Sequence, residues 1–105
     1  MPRMIHVLAT IAVVAGKRDA FLAEFHRVMP AVLAEDGCLA YGPAVDVDSG
    51  IPIQPPLRAD AVVVIEQWRD LAALKAHLQA PHMAAYRERV KGLVGGVQLQ
   101  VLQPA

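Results

Sequence analysis

Residues 3–14 alternate on two registers, with Ile5, Val7, Ala9, Ile11 and Val13 on one face and His6, Leu8, Thr10, Ala12 and Val14 on the other. Strand side chains two apart share a face. Both faces are mainly apolar, which predicts a strand covered on each side and ended by Gly16. Over residues 17–35 the period lengthens, and Phe21, Leu22, Phe25, Val28, Met29, Val32 and Leu33 recur at helical spacing. Pro30 lies inside that run, removes a backbone hydrogen bond and predicts a kink.

Asp36 and Gly37 close the helix, and residues 38–47 read as a second strand that Pro43 confines to an edge or a bulge. Residues 48–60 contain Ser49, Gly50, Pro52, Pro55 and Pro56, a connection too long for a hairpin turn and a candidate lid or dimer arm. The segment Ala61–Trp68 (AVVVIEQW) is the most strand-like and predicts a central strand, with Val62, Val64, Glu66 and Trp68 on one face. Asp70 can cap a short helix containing Leu71, Leu74 and Leu78. Pro81 opens a second helical segment, Gly92 stops it, and residues 97–102 supply a last short strand.

The order βαββ, broken helix, β predicts a single α+β domain over residues 1–105, a ferredoxin-like antiparallel sheet with helices on one face. Helices on one side leave the other sheet face bare. Its aliphatic residues on the first and third strands would form a larger apolar patch than monomers usually expose, so face-to-face homodimerisation is expected.

Composition strengthens the expectation of a partner. Hydrophobic residues make up 55% of the 105-residue chain and charged residues 19%, against about 45–50% apolar in ordinary soluble domains. Ten basic and ten acidic side chains cancel, with no like-charge run, which argues against nucleic acid or an anionic membrane as a partner. The apolar first segment is rich in β-branched residues, interrupted by His6 and Thr10, and too short for the roughly 20 residues a membrane-spanning helix needs. A cytoplasmic soluble protein is expected. The single cysteine, Cys38, rules out an intrachain disulfide and reads as a small core residue.

The candidate chemistry gathers late in the chain, where an apolar pocket is expected near Trp68, His77, His82 and Tyr86. Glu66 and Trp68 share a strand face, so both cannot be ordinary core residues. Glu66 reads as a solvated edge residue, a dimer ion pair or a pocket carboxylate with a raised pKa. His82 and Tyr86, four apart, share one helix face. His77 precedes the Pro81 break and meets His82 only through the helix corner; for both histidines, helix-end capping is the plainer reading. His6 and His26 read as structural, and Tyr41 either faces the pocket or packs. No metal site is expected: the histidine spacing is wrong for zinc, no cysteine pair accompanies it, and Glu66 is the only carboxylate expected nearby. Phosphate loops and nucleophile elbows are absent, since Gly92, Gly95 and Gly96 precede a strand and no Gly-x-Ser-x-Gly occurs.

Residues 35–43 (EDGCLAYGP), 65–68 (IEQW), 76–83 (AHLQAPHM) and 102–104 (LQP) together resemble the antibiotic biosynthesis monooxygenase family, and within it the bacterial quinol monooxygenase branch. The resemblance spans nearly the whole chain. It implies a dimeric α+β barrel that oxidises a small aromatic substrate, a quinol or polycyclic phenol, with molecular oxygen and no cofactor. Placed on this sequence, it assigns Trp68 as an aromatic wall, His77 or His82 as the base, and Tyr86 or Tyr41 as a hydrogen-bond partner of a substrate oxygen; Glu66, in the pocket or at the dimer interface, is the carboxylate that joins them as a substrate-binding candidate. The family's haem-degrading branch uses an asparagine on the first strand, and none is present here.

Overall fold

The computed structural model describes residues 3–105. Seven elements follow in the order β1 (Ile5–Val13), α1 (Arg18–Leu33), β2 (Cys38–Ala44), β3 (Ala61–Trp68), α2 (Leu71–Leu78), α3 (Pro81–Val90) and β4 (Val94–Leu102). The strands form one sheet in the order β2-β3-β1-β4 with every neighbouring pair antiparallel. This is the expected ferredoxin-like plan. β1 and β3 are central, and β2, which carries Pro43, lies at an edge where a missing N–H costs no ladder bond.

Core packing follows the two periodicities. Phe21, Phe25, Val28 and Val32 of α1 are buried at spacings of four, three and four, which form one stripe along the helix. They meet the buried registers of β1 (Ile5, Val7, Ala9, Ile11, Val13) and β3 (Val62, Val64, Glu66, Trp68). The opposite registers are half-buried or exposed, with Leu8 and Ile65 among the exposed. α1 runs through Pro30 as one helix: the proline sits on its exposed side, where the carbonyl left without a donor can turn to water.

Two expectations change. β4 begins at Val94, not at 97, because Val13 pairs with Val94 while Ala12 pairs with Gly96. A β-bulge at Gly95 absorbs the extra residue, so the glycines lie within the strand. In α2 the buried positions are Ala73, Leu74 and His77, whereas Leu71 and Leu78 are exposed. A histidine therefore occupies a core position. The long 45–60 connection is pinned at its base by Arg58, whose backbone N–H, Nε and Nη2 all donate to the Asp46 carboxylate at 2.8–2.9 Å. Its Val47, Ile51, Ile53 and Leu57 are exposed.

Candidate active site

A chain of local constraints brings α2 against the end of α1. Gly37 has φ +84°, a left-handed conformation that disfavours any side chain, and a Cβ there would stand 2.6 Å from the Cβ of Ala73 on α2. Arg69 clips the same turn, donating to both Asp36 oxygens at 3.0 and 3.1 Å while its backbone N–H bonds the Gly37 carbonyl at 2.8 Å. Asp70 then caps α2 by accepting from the Ala73 N–H at 2.8 Å. Together these contacts set Glu35, just past the end of α1, beside the last turn of α2.

There the Glu35 Oε2 accepts two hydrogen bonds, from Nδ1 of His77 at 2.9 Å and from Nε2 of His82 at 2.7 Å. A carboxylate only accepts, so the protons sit on those two nitrogens. Exposure rises along the series: the side chains of His77, Glu35 and His82 are 3%, 14% and 31% accessible. For His77 the bond fixes the tautomer and leaves Nε2 as a lone-pair acceptor. Burial lowers its pKa, outweighing the opposing pull of Glu35, so the ring is neutral near pH 7.

On the cavity side of His77 lies an apolar space of about 450 Å³ between α1, α3 and the sheet. Its polar lining includes Tyr41, Glu66, His77 and Tyr86, set among apolar side chains such as Phe21 and Val64. The aromatic rings form a continuous belt. Tyr41 stacks on Phe25 with centroids 5.1 Å apart and 9° between planes, meets His77 edge-on at 5.4 Å, and Tyr86 stands edge-on to Phe25 at 6.2 Å. Burial raises the pKa of both phenols, that of Tyr86 to about 12, so each remains a neutral donor. Glu66 is pushed up to about 7, chiefly by burial, against the lowering hydrogen bond from Trp68. A carboxyl so placed can hold or release a proton at neutral pH.

Of the six residues singled out in the sequence, Tyr41, Glu66, His77 and Tyr86 converge on the cavity, and Trp68 and His82 do not line it. Trp68, expected as a wall, is fully buried behind it: the end of β3 tucks the indole under α2, where Nε1 donates to Glu66 Oε1 at 2.9 Å and the ring lies 4.7 Å from His77. It supports two lining residues. His82 lies beyond Glu35, on the outer side of His77. The residue that sequence reasoning missed is Glu35. The sequence offers Glu66 as the nearby carboxylate for the histidines, but Glu35, 42 residues before His77, takes that place. Its acidic character right after the helix was visible, yet only the α1–α2 packing shows what it faces. Among the described residues no group of three histidine, cysteine or acidic side chains is arranged to hold a metal ion.

Residues 4–89 match the antibiotic biosynthesis monooxygenase family. The chain is 45% identical over 103 residues to the protein described as "Probable quinol monooxygenase YgiN" of Escherichia coli K12, covering 96% of this chain and 98% of that relative. In structure it is similar to PA3566 of Pseudomonas aeruginosa, with TM-score 0.82, 27% identity and coverage of 100% and 97% of the two chains. It is similar also to Rv0793 of Mycobacterium tuberculosis, with TM-score 0.79, 27% identity and coverage of 97% and 95%. Family match, full-length likeness and fold agree with one another: the chain belongs to the antibiotic biosynthesis monooxygenase family and is a monooxygenase by that membership.

Proposed function

We propose that the protein oxidises a quinol or related polycyclic phenol with molecular oxygen, without metal or flavin. The observation that carries this reading is the convergence of His77, Glu66, Tyr41 and Tyr86 on one apolar, aromatic-lined cavity. Such a cavity matches a flat aromatic substrate. The description of the Escherichia coli relative points to the same substrate class.

An electron-rich quinol needs little from the protein beyond deprotonation in a dry site. His77 Nε2 accepts the hydroxyl proton, and the resulting quinolate passes one electron to oxygen. The radical pair closes a carbon–oxygen bond at a ring carbon, and the peroxide so formed takes the proton back from His77. Loss of the ring C–H proton, for which Glu66 is the acceptor, breaks the O–O bond. The departing hydroxide takes that proton and leaves as water. One quinol and one O2 thus give one hydroxylated quinone and one water, with no net proton left on the protein. Tyr41 and Tyr86 donate hydrogen bonds to substrate oxygens, and Glu35 positions His77.

The working unit in this reading is a cytoplasmic homodimer, a dimeric α+β barrel. It is supported by the exposed sheet register that includes Leu8 and Ile65, and by the apolar side chains of the 45–60 connection.

The test is oxygen uptake by metal-free protein given a reduced naphthoquinone, above autoxidation, with ¹⁸O2 to follow the label. One labelled atom in the product and loss of the rate in His77→Ala are expected. Binding of the quinol with no uptake above background would overturn the reading.

A further inference from the structure

The charges at the cavity are unevenly placed. Its one carboxylate among the described residues, Glu66, is buried, while Arg87 on α3 and Lys91, the first residue past that helix, stand exposed at the mouth. The other titratable lining groups, His77, Tyr41 and Tyr86, are neutral near pH 7 for the reasons given above. The mouth is therefore cationic, and the charge of the interior is confined to Glu66, whose carboxyl pKa is pushed up to about 7.

The two cations differ in their engagements. Lys91 Nζ pairs with Glu88 at 2.9 Å on the outer surface, as Arg89 pairs with Glu24 at 2.8 Å away from the cavity. Arg87 has no carboxylate partner among the described residues. Its Nη2 donates to the Leu78 carbonyl at the end of α2, a bond that spans the gap between α2 and α3 and holds the guanidinium at the rim. A guanidinium carries five donors in a fixed fork, so this tether leaves others open to a ligand. The geometry is suited to a planar anion, which a carboxylate satisfies in bidentate fashion.

We propose that the substrate is an aromatic quinol bearing a carboxylate, bound with its reactive ring beside His77 and Glu66 and its carboxylate on Arg87. Arg87 is then the specificity-determining residue. This inference rests on the cavity being the quinol site and narrows the substrate to an anionic class.

The test compares binding of a hydroxynaphthoate with that of the matching neutral hydroxynaphthamide by titration calorimetry, so that neither measurement depends on turnover. The unaltered protein is expected to bind the carboxylate about tenfold more tightly, a preference that weakens as salt is raised. Arg87→Gln should bring the ratio close to one, and Arg87→Lys, which keeps the charge and loses the fork, should retain part of it. A ratio near one in the unaltered protein, or a preference that survives Arg87→Gln, overturns the proposal. Oxygen uptake with a dihydroxynaphthoate and with a neutral naphthoquinol reports separately on the function: uptake without carboxylate preference in binding sinks the anionic class alone, and preference without oxygen uptake with either quinol sinks the oxidation alone.

Discussion

The Oε2 atom of Glu35 accepts a hydrogen bond from Nδ1 of His77 at 2.9 Å, across 42 residues of sequence. This contact decides which nitrogen of His77 carries the proton, because an acceptor on one side of the ring leaves the lone pair on the other. His82 donates to the same oxygen at 2.7 Å, so two donors hold the carboxylate in place. A similar pairing recurs one layer inward, where Trp68 orients Glu66. Each group assigned a proton is thus held by a neighbour that stays out of the cavity.

Glu35→Gln tests that dependence. The amide can still accept from His77, yet it brings no negative charge and can turn its NH2 toward the ring. Turnover is expected to fall about tenfold or more, as for other partners that orient a histidine. Nitrogen chemical shifts should show the His77 tautomers becoming mixed. An unchanged rate with an unchanged tautomer would mean that Glu35 only packs.

Glu66 makes stability depend on pH in a direction of its own. Its folded pKa is raised from 4.5 to about 7, chiefly by burial. The folded state therefore holds the proton more tightly than the unfolded chain, and the associated stability is present below pH 4.5 and lost as pH rises through 7. Glu66→Gln stays neutral throughout, so its stability relative to the unaltered protein should improve over that window by up to about 3 kcal/mol. Denaturant melts of both proteins at pH 4.5 and 8 check this; a difference that does not change with pH would place Glu66 in a wetter setting.

Gly37 and Gly16 separate the cost of backbone strain from the cost of contact. Both have positive φ, +84° and +78°, but a Cβ on Gly37 would lie 2.6 Å from Ala73 while one on Gly16 meets nothing within 4 Å. Gly16→Ala should cost about 1 kcal/mol. Gly37→Ala should cost about 2–4 kcal/mol and also depress turnover, because α2 must move and carry His77 away from Glu35. Equal thermal shifts for the two variants would contradict that account.

The apolar sheet face gives the proposed homodimer its own test. Ile65→Asp would set a carboxylate in the centre of that face, opposite Leu8 in register. Sedimentation of the unaltered protein at micromolar concentration is expected to show a dimer, and the variant should dissociate at concentrations at least tenfold higher. A monomer before substitution would remove the argument from the apolar face.

The elements were legible because their patterns are local. Alternation in β1 and β3, the stripe from Phe21 to Val32, and Pro81 at a helix start each involve neighbours within a turn or two. The start of β4 was less so, since glycines that read as loop are held in a strand by pairing with β1. Four of the six site residues reach the cavity for a related reason: Glu66, Tyr41 and Tyr86 lie on faces that periodicity already directs inward, and His77 falls on the buried side of α2.

Sequence alone determined the order of elements, the strand faces and the family, all properties of short segments with their own signatures. Tertiary structure decided the partners. Glu35 faces His77 and His82 only because Gly37 lets two helices approach closely, and Trp68 lies behind the cavity only because α2 folds over the end of β3. Such contacts join residues from separate elements, and no periodicity within one element encodes which side chain of another will stand opposite.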